Sequence, residues 1–378
     1  MGRVSTGALT VAAITAEEHL AFLEAQRSAS FLQTPAWGTV KSEWRSESIG
    51  WRDVAGELKG AALVLHRPVP RLKKYSLAYL PEGPVIDWSD TDLARWLDPM
   101  ATYLKKGGAF GIRMGPPVAT RRWTAAQVKD GLADPNVRTL RDVPTDLEEV
   151  GARVVRHLSS HRWRDQHVDE GFAIGQPQYT FAIPLAGRDE DDVLKGMNQL
   201  WRRNIKRADK EGVAVTVGGR DDLARFHGLY VETAARDHFT PRGLAYFQQM
   251  YDAMTAESPD RFKLFLAEHE GDLVASTIYT QVGAHTWYLY GASSTAKRDV
   301  RGSNAVQWQM MRTALASGAD VYDLRGITST LDPDDSHSGL IQFKVGTGGE
   351  AVETVGEWDL PLNTPLYKAF DLYMKRRG

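Results

Sequence analysis

The feature that most limits the fold of this chain is an alternation of short apolar segments with longer amphipathic ones, separated by glycine and proline. Segments 61–66, 76–80 and 110–114 have the length and composition of buried strands. Segment 93–105 instead repeats its apolar residues with helical spacing. Strands that alternate with helices predict an α/β (α+β) fold in which helices flank mixed sheets.

The same alternation begins again near residue 176. Strands are predicted at 179–185, 213–217, 262–268, 273–282, 287–292 and 321–324, and helices at 189–211, 222–236, 244–255 and 304–317. At 378 residues the chain is long enough for two domains, each with its own core. We predict a discontinuous first domain, residues 1–175 plus 356–378, and a second domain, residues 176–355. The matching element order is consistent with a duplicated fold, and no long heptad-bearing arm interrupts it.

The composition excludes several kinds of site. The chain has no cysteine, which rules out a disulfide framework, a thiolate nucleophile and a cysteine-bound metal. Its histidines show neither HExxH nor paired spacing, so we expect no metal and no cofactor. No segment reaches the roughly 20 apolar residues of a membrane span, and the N-terminal segment lacks a secretory signal, so we expect a cytoplasmic protein. Because the net charge is −2, any contact with nucleic acid must come from local basic clusters.

Short motifs spread over most of the chain carry a family resemblance. They are FLQTPAW at 31–37 with Lys41, YLPEGP at 79–84, QPQYT at 176–180, RRNIKRA at 202–208, Arg242 with YF at 246–247, YDL at 322–324 with Gly326, and FK at 343–344. Each motif alone is weak, but together and in this order they resemble the FemABX family of bacterial aminoacyltransferases. The resemblance implies two acetyltransferase-like (GNAT) domains in tandem.

The resemblance also implies a reaction. An amino acid moves from aminoacyl-tRNA to the stem peptide of a peptidoglycan precursor, either lipid II or UDP-MurNAc-pentapeptide, and forms the interpeptide bridge. The partners are then the aminoacyl-tRNA and the precursor, with peripheral membrane association where the acceptor is lipid-linked. Glycine, alanine or serine is typical of the family, and the sequence does not select among them.

The reaction is the aminolysis of an ester, which is already activated. The protein must align the reactants, accept a proton from the amine and stabilise the oxyanion, without a covalent intermediate. Lys344, placed after a predicted strand at 341–343, is our candidate for the stabilising cation. Phe343 is expected to stack on the terminal adenine of the tRNA. Asp323 is expected to accept a proton or to orient Lys344, although a structural pairing with Arg325 is equally compatible with the sequence.

Two further groups of residues are expected to bind the substrates. The resemblance assigns Lys41, Arg242, Tyr246 and Tyr290 to the phosphates and sugar of the precursor, where cations and phenol hydroxyls suit a diphosphate. If a helix begins at or before Arg242, its i, i+4 spacing to Tyr246 places both side chains on one face. Basic residues on a predicted helix form a positive stripe suited to tRNA, namely Arg203, Lys206 and Arg207.

One departure from the family pattern concerns the strand at 111–117, where related proteins tend to carry an acidic residue and this chain has Gly115 beside Arg113. Three rival functions stay open at this point. They are transfer from tRNA to a small peptide or natural product, transfer from acyl-CoA with segment 299–304 as the pyrophosphate loop, and non-catalytic binding of RNA or precursor. The acidic residue Asp299 at the start of that loop disfavours a pyrophosphate.

Overall fold

The computed structural model describes residues 7–69, 72–166, 175–335 and 337–375. The strands in this part of the chain are β1 (Thr10–Ala13), β2 (Arg45–Arg52), β3 (Leu58–Val69), β4 (Leu72–Leu80), β5 (Ala109–Met114), β6 (Ala119–Thr124), β7 (Arg164–Asp165), β8 (Tyr179–Pro184), β9 (Ala214–Gly218), β10 (Phe262–His269), β11 (Asp272–Val282), β12 (His285–Ser293), β13 (Val321–Gly326), β14 (Glu350–Thr354) and β15 (Trp358–Pro361).

The helices in the described ranges surround these strands. They are α1 (Ala16–Glu24), α2 (Pro35–Val40), α3 (Ala94–Lys106), α4 (Ala125–Ala133), α5 (Glu149–Ser160), α6 (Glu190–Gly196), α7 (Gln199–Lys210), α8 (Leu223–Asp237), α9 (Leu244–Glu257), α10 (Gly302–Ala316), α11 (Ser338–Val345) and α12 (Thr364–Lys375). Helix α1 begins directly after Thr15, because Thr15 and Glu18 form a reciprocal capping box.

The strands form two sheets with a shared arrangement. The first has the order β1-β2-β3-β4-β5-β15-β7, and the second has the order β6-β14-β8-β13-β12-β11-β10-β9. In the first, four antiparallel strands are followed by the parallel pair β4 and β5. In the second, the antiparallel run β9 to β12 is followed by the parallel pair β12 and β13. This common pattern of four antiparallel strands and one parallel neighbour is a structural repeat that sequence identity does not reveal.

The chain crosses between the sheets more often than a single boundary at residue 175 implies. Strand β6 pairs with β14 and so belongs to the second sheet, whereas α5, which follows it, packs its Val154 and Leu158 on the core of the first. Helix α12 returns to the first sheet as expected, where Tyr367 and Phe370 pack with Phe110. The predicted two-domain division stays a prediction. Strand β6 departs from it, because its residues lie within 1–175 but pair with β14 in the second sheet.

Two local predictions are wrong. Segment 341–343 is not a strand, because it lies inside helix α11. The predicted helix at 189–211 is broken into α6 and α7, since Met197 and Asn198 are extended and the Asn198 side chain caps the new helix by accepting from the Trp201 N–H. A segment as short as 341–343 does not distinguish a strand from a helix by pattern alone.

A buried apolar cluster joins the two halves. Phe31, Trp37 and Leu65 from the first half pack in one cluster with Phe247 and Trp287 from the second. Separate clusters fill the interior of each half, one around Trp51 and Ile112 and the other around Phe181 and Tyr322. Because its members are buried against one another, the shared cluster holds α2 and α9 together at the junction.

Candidate active site

The site begins where two parallel strands separate. Strands β12 and β13 pair only from His285 with Val321 to Trp287 with Asp323. Just beyond, Tyr290 and Arg325 adopt positive φ angles of 48° and 62°, which side-chain-bearing residues rarely do. The strands therefore part at this point, and a cleft opens between the two halves of the molecule.

A cavity of about 610 Å³ occupies this cleft. Its wall is rich in cations and aromatic rings, and it contains five of the site residues that the sequence singles out, Lys41, Arg242, Tyr246, Tyr290 and Lys344. A cavity of this size is within the range typical of small-ligand sites. Residues from both halves line it, so the packing between the halves determines its shape.

At one end of the cavity, two cations and two phenols come together. The Tyr246 and Tyr290 hydroxyls are 3.1 Å apart. The Arg242 guanidinium lies over the Tyr246 ring at 4.5 Å from the centroid, and the Lys41 ammonium lies 5.7 Å from the same centroid. Burial lowers the pKa of Lys41, and burial raises the pKa of Tyr246, so the phenol stays protonated and able to donate. We call these four residues the cation–phenol cluster.

Helix packing produces this cluster, and the condition that would place Arg242 and Tyr246 on one helix face is not met. Helix α9 begins at Leu244, so Arg242 precedes the helix. The backbone carbonyl of Arg242 lies 3.0 Å from His227 Nε2, and this contact holds the Arg242 backbone in place. Its guanidinium still reaches the Tyr246 ring. Helix α9 is tied to the Lys41 side by Gln249, which donates to the Thr39 carbonyl at 2.7 Å.

Lys344 lies on α11 and is almost completely buried, with 3% of its surface exposed. Its ammonium donates to the Gly326 carbonyl at 2.6 Å and to the Arg325 carbonyl at 3.2 Å, at the end of β13. Its pKa is lowered to about 7, mainly by burial; the charge of Asp323 opposes this shift, and the charge of Arg325 adds to it. Lys344 is therefore positioned at the cavity as a group that gains or loses a proton near neutrality.

The other two residues predicted to be catalytic do not line this cavity. Phe343 is half-buried against Trp201, with ring centroids 4.7 Å apart. Asp323 is buried and accepts from the Arg325 backbone N–H at 2.6 Å, so the structural pairing that the sequence left open is present. Burial opposes ionisation of Asp323, but His285 and Arg325 hold its pKa below the usual value.

The basic stripe lies on α7, next to the helix that carries Lys344. The Trp201 indole of α7 donates to the Phe343 carbonyl of α11 at 2.9 Å, which joins the two helices. Arg203 and Lys206 are exposed, whereas Arg207 pairs with Glu211 and Asp299 at 3.7 and 3.5 Å. The stripe therefore presents positive charge near the Lys344 end of the cavity, with part of the Arg207 charge neutralised.

Sequence reasoning missed one carboxylate of this cavity. Glu357 lines the wall close to Gly115, where a Cβ atom would come within 3.0 Å of the Glu357 Cγ. Its Oε1 accepts from the Tyr79 hydroxyl at 2.6 Å and from the Gln176 backbone N–H at 3.2 Å. An acid from the segment between β14 and β15 thus lies beside the position at which the strand at 111–117 lacks one. The signal was a single Glu inside the apolar segment VGEW at 355–358.

Two of the sequence motifs have a structural explanation. The Gln33 side chain donates to the Pro81 carbonyl at 2.7 Å and accepts from the Leu63 N–H at 3.0 Å. A Cβ atom at Gly83 would come within 2.3 Å of that amide. The motifs at 31–37 and 79–84 therefore pack against each other and support the cavity wall.

Two negative observations apply to the described ranges. Across residues 7–69, 72–166, 175–335 and 337–375, no group of three His, Asp or Glu side chains is placed to hold a metal ion. In the same ranges, no helix has the length and apolar character needed to cross a bilayer.

Comparisons with known proteins agree with the fold. A family model described as the FemAB family matches residues 14–272 and 260–375. Two relatives, each named lipid II:glycine glycyltransferase, are from Staphylococcus haemolyticus (strain JCSC1435) and Staphylococcus aureus (strain MRSA252). The chain is 25% identical to the first over 425 residues and 26% identical to the second over 428, with 95% of this chain and 94% of each relative covered.

Solved structures extend the comparison. A crystal structure of FemX matches with a TM-score of 0.80 and 25% identity over 95% of this chain and 99% of that one. A tandem GNAT protein from the clavulanic acid biosynthesis pathway shares the fold, with a TM-score of 0.50 and 11% identity over 94% of this chain and 98% of that one. The predicted tandem GNAT architecture is confirmed. With a family model spanning most of its length, the chain belongs to the FemAB family.

Proposed function

We propose that this protein transfers an amino acid from aminoacyl-tRNA to the stem peptide of a peptidoglycan precursor. The observation that carries the proposal is that Lys344 and the cation–phenol cluster line one cavity. Two relatives that align over nearly the whole chain are named lipid II:glycine glycyltransferases, which favours a lipid-linked acceptor and glycine as the amino acid. The protein then acts at the cytoplasmic face of the membrane, in peripheral contact with it.

The cation–phenol cluster supports recognition of the precursor diphosphate. Arg242 and Lys41 supply positive charge, and the Tyr246 and Tyr290 hydroxyls supply neutral donors within 3.1 Å of each other. Charge-assisted hydrogen bonds to phosphate are stronger than neutral ones and are favoured further in a partly buried site. Lys41 is only 19% exposed and its ion pair with Glu43 is long, at 3.7 Å, so its charge is available to a ligand.

Lys344 supports the chemical step. When the acceptor amine attacks the ester carbonyl, negative charge develops on the carbonyl oxygen, and a preorganised cation stabilises that charge. The Gly326 and Arg325 carbonyls fix the Lys344 ammonium and leave a third N–H for the reacting group. Because its pKa is about 7, the same group is able to give a proton to the leaving ribose oxygen and then to take up the proton that the acceptor amine loses as the amide forms. Asp323, whose charge opposes the fall in the Lys344 pKa, keeps a share of the ammonium protonated.

The tRNA is proposed to approach along α7. Arg203 and Lys206 are exposed on this helix, and Trp201 joins it to α11. Arg207 is a third contact, although it must exchange its present carboxylate partners for phosphate. Phe343 is proposed to meet the terminal adenine after a local shift from Trp201.

The test is reconstitution with purified protein. The protein is incubated with a panel of charged tRNAs, each paired with lipid II and with UDP-MurNAc-pentapeptide, and the acceptor is analysed by mass spectrometry. We expect a mass gain of one glycine residue on lipid II. Turnover of acetyl-CoA with no gain from any charged tRNA would reject the proposal and favour the acyl-CoA alternative.

A further inference from the structure

The strand that holds Lys344 in place ends irregularly. In an extended strand, successive carbonyl groups point to opposite edges. At the end of β13, however, the carbonyls of Arg325 and Gly326 both accept from the Lys344 ammonium, at 3.2 and 2.6 Å. The backbone must therefore bend between these two residues to bring both oxygens to the same side.

The bend is made by Arg325 itself. Its φ angle is 62°, in the left-handed region that favours glycine. The pairing of β13 with β8 also shifts register between Asp323 and Gly326, so the strand ladder is irregular at the same place. A residue other than glycine keeps such a backbone conformation only where its surroundings enforce it. The contacts that enforce it here are those of the Arg325 side chain and N–H group.

The Arg325 side chain is held by three partners. Its guanidinium donates to Glu82 Oε1 at 2.7 Å and to Gln176 Oε1 at 3.0 Å, and it lies over the Phe31 ring at 5.8 Å from the centroid. The Arg325 side chain is 17% exposed and that of Glu82 is 12% exposed, so water competes little for their ion pair. A planar guanidinium with two of its nitrogens bonded is fixed in orientation as well as in position.

The partners on both sides of the bend are themselves fixed. Glu82 uses its second oxygen to accept from the Ser30 hydroxyl at 2.6 Å. On the strand side, Asp323 accepts from the Arg325 backbone N–H at 2.6 Å. Ser30, Phe31 and Glu82 belong to the first half of the chain, whereas Asp323 belongs to the second. The conformation of Arg325 therefore depends on how the two halves pack together.

We propose that Arg325 is the positioning residue for Lys344: its anchored side chain maintains the left-handed bend, and the bend directs two successive carbonyls to the Lys344 ammonium. The inference rests on the proposed function, in which that ammonium stabilises the oxyanion. A cation that the protein already holds in place needs no reorientation when the negative charge develops. The motifs at 31–37, 79–84 and 176–180 then affect the reaction through one arginine.

The test uses the difference between glycine and alanine. Glycine adopts a positive φ angle without strain, whereas alanine does not. The variants Arg325→Ala and Arg325→Gly lose the same side-chain contacts and the same charge, so they differ in the cost of the bend. Both are made in a Glu82→Gln background, which avoids leaving a buried carboxylate unpaired. The control is Arg27→Ala, because Arg27 also joins the two halves, through an exposed ion pair with Asp320 at 2.6 Å.

Transfer kinetics give the first measurement. Relative to Glu82→Gln alone, Arg325→Ala should lower kcat about 10²-fold, since a displacement of about 1 Å in a reacting group costs about this much. The KM for the precursor should change little. Arg325→Gly should recover about tenfold of the lost kcat, and Arg27→Ala should leave kcat unchanged. An equal fall in kcat for alanine and glycine would overturn the inference, as would an effect on KM alone.

The second measurement needs no turnover. The pKa of Lys344 is obtained by NMR titration of the lysine Cε signals in isotope-labelled protein, with the Lys344 signal assigned by its loss in Lys344→Met. A hydrogen bond from an ammonium to a carbonyl favours the protonated form. The pKa of Lys344 should therefore be higher with glycine at position 325 than with alanine. The charged groups near Lys344 are the same in both variants, on the neighbouring helices α4 and α7 and on the cavity side, where they are Asp323, Lys41, Arg67, Arg113, Arg242 and Glu357.

These measurements separate the inference from the proposed reaction. If the pKa of Lys344 is higher in the glycine variant but no charged tRNA yields product with the wild type, the positioning role stands and the proposed reaction fails. If the wild type transfers an amino acid but the pKa of Lys344 is the same in both variants, the reaction stands and the positioning role of Arg325 fails.

Discussion

Replacing Lys344 with methionine should separate stability from activity. Methionine keeps most of the volume of the lysine stem and removes the ammonium that lies 2.6 Å from the Gly326 carbonyl and 3.2 Å from the Arg325 carbonyl. If Lys344 serves catalysis, its burial is a cost to folding that activity requires. The variant should therefore be stable and nearly inactive.

The magnitudes follow from the burial of this group. The pKa of Lys344 falls from 10.5 to about 7, and at about 1.4 kcal/mol per pKa unit the buried ammonium is disfavoured by about 5 kcal/mol. Removing it relieves this penalty but leaves two carbonyls without their donor, at about 1–3 kcal/mol each. The Lys344→Met variant should then lie between about 1 kcal/mol less stable and about 3 kcal/mol more stable than the wild type. Loss of an oxyanion-stabilising donor should lower kcat by about 10²–10³-fold.

The assay combines chemical denaturation at pH 7 with single-turnover transfer from a charged tRNA. Lys129→Met, an exposed lysine on α4, serves as the matched control and should change neither quantity. A Lys344→Met variant that keeps wild-type turnover would refute the catalytic assignment. A loss of several kcal/mol in stability would refute the reasoning about burial, because the buried ammonium would then stabilise the folded state.

Three further predictions follow from the same structure. The stability of the wild type relative to Lys344→Met should rise as the pH increases from about 7 to 10.5, because over this range the unfolded chain holds a proton that the buried lysine has lost. Chemical denaturation at several pH values measures this difference in stability. A difference that does not change with pH would contradict the lowered pKa. Lys41→Met should raise KM for the precursor at least tenfold with little change in kcat, as expected for a phosphate-binding cation, and a fall in kcat alone would contradict that role. Lys206→Glu should weaken tRNA binding and reduce its salt dependence, measured by titration at several ionic strengths, whereas Lys129→Glu should not.

Much of the architecture could be predicted from local patterns. The alternation of apolar and amphipathic segments is sufficient to predict a mixed α/β fold, and the helix predicted to begin at residue 244 begins there as α9. The assignment of segment 341–343 as a strand failed because two apolar residues on either side of one polar residue fit either periodicity. The placement of β6 in the second sheet was not predictable, since strand pairing depends on contacts between residues far apart in the chain.

The residues of the candidate site also differ in whether the sequence alone identifies them. The family resemblance identifies Lys41, Arg242, Tyr246, Tyr290 and Lys344, and the structure brings all five to one cavity. It does not identify Glu357, whose importance depends on its position beside Gly115 and Gly175 rather than on its neighbours in the chain. A lone acid in an apolar segment is informative only once its surroundings are known.

What the sequence determines by itself is therefore the kind of fold and the kinds of chemical group available, because apolar periodicity, capping residues and residue types are local properties. The tertiary structure decides which groups share a cavity and how they are charged. The ammonium of Lys344 titrates near pH 7 only because α11 buries it against the end of β13. Desolvation and the separation between charges depend on the packed arrangement of the whole chain, so neither is a property of any short segment.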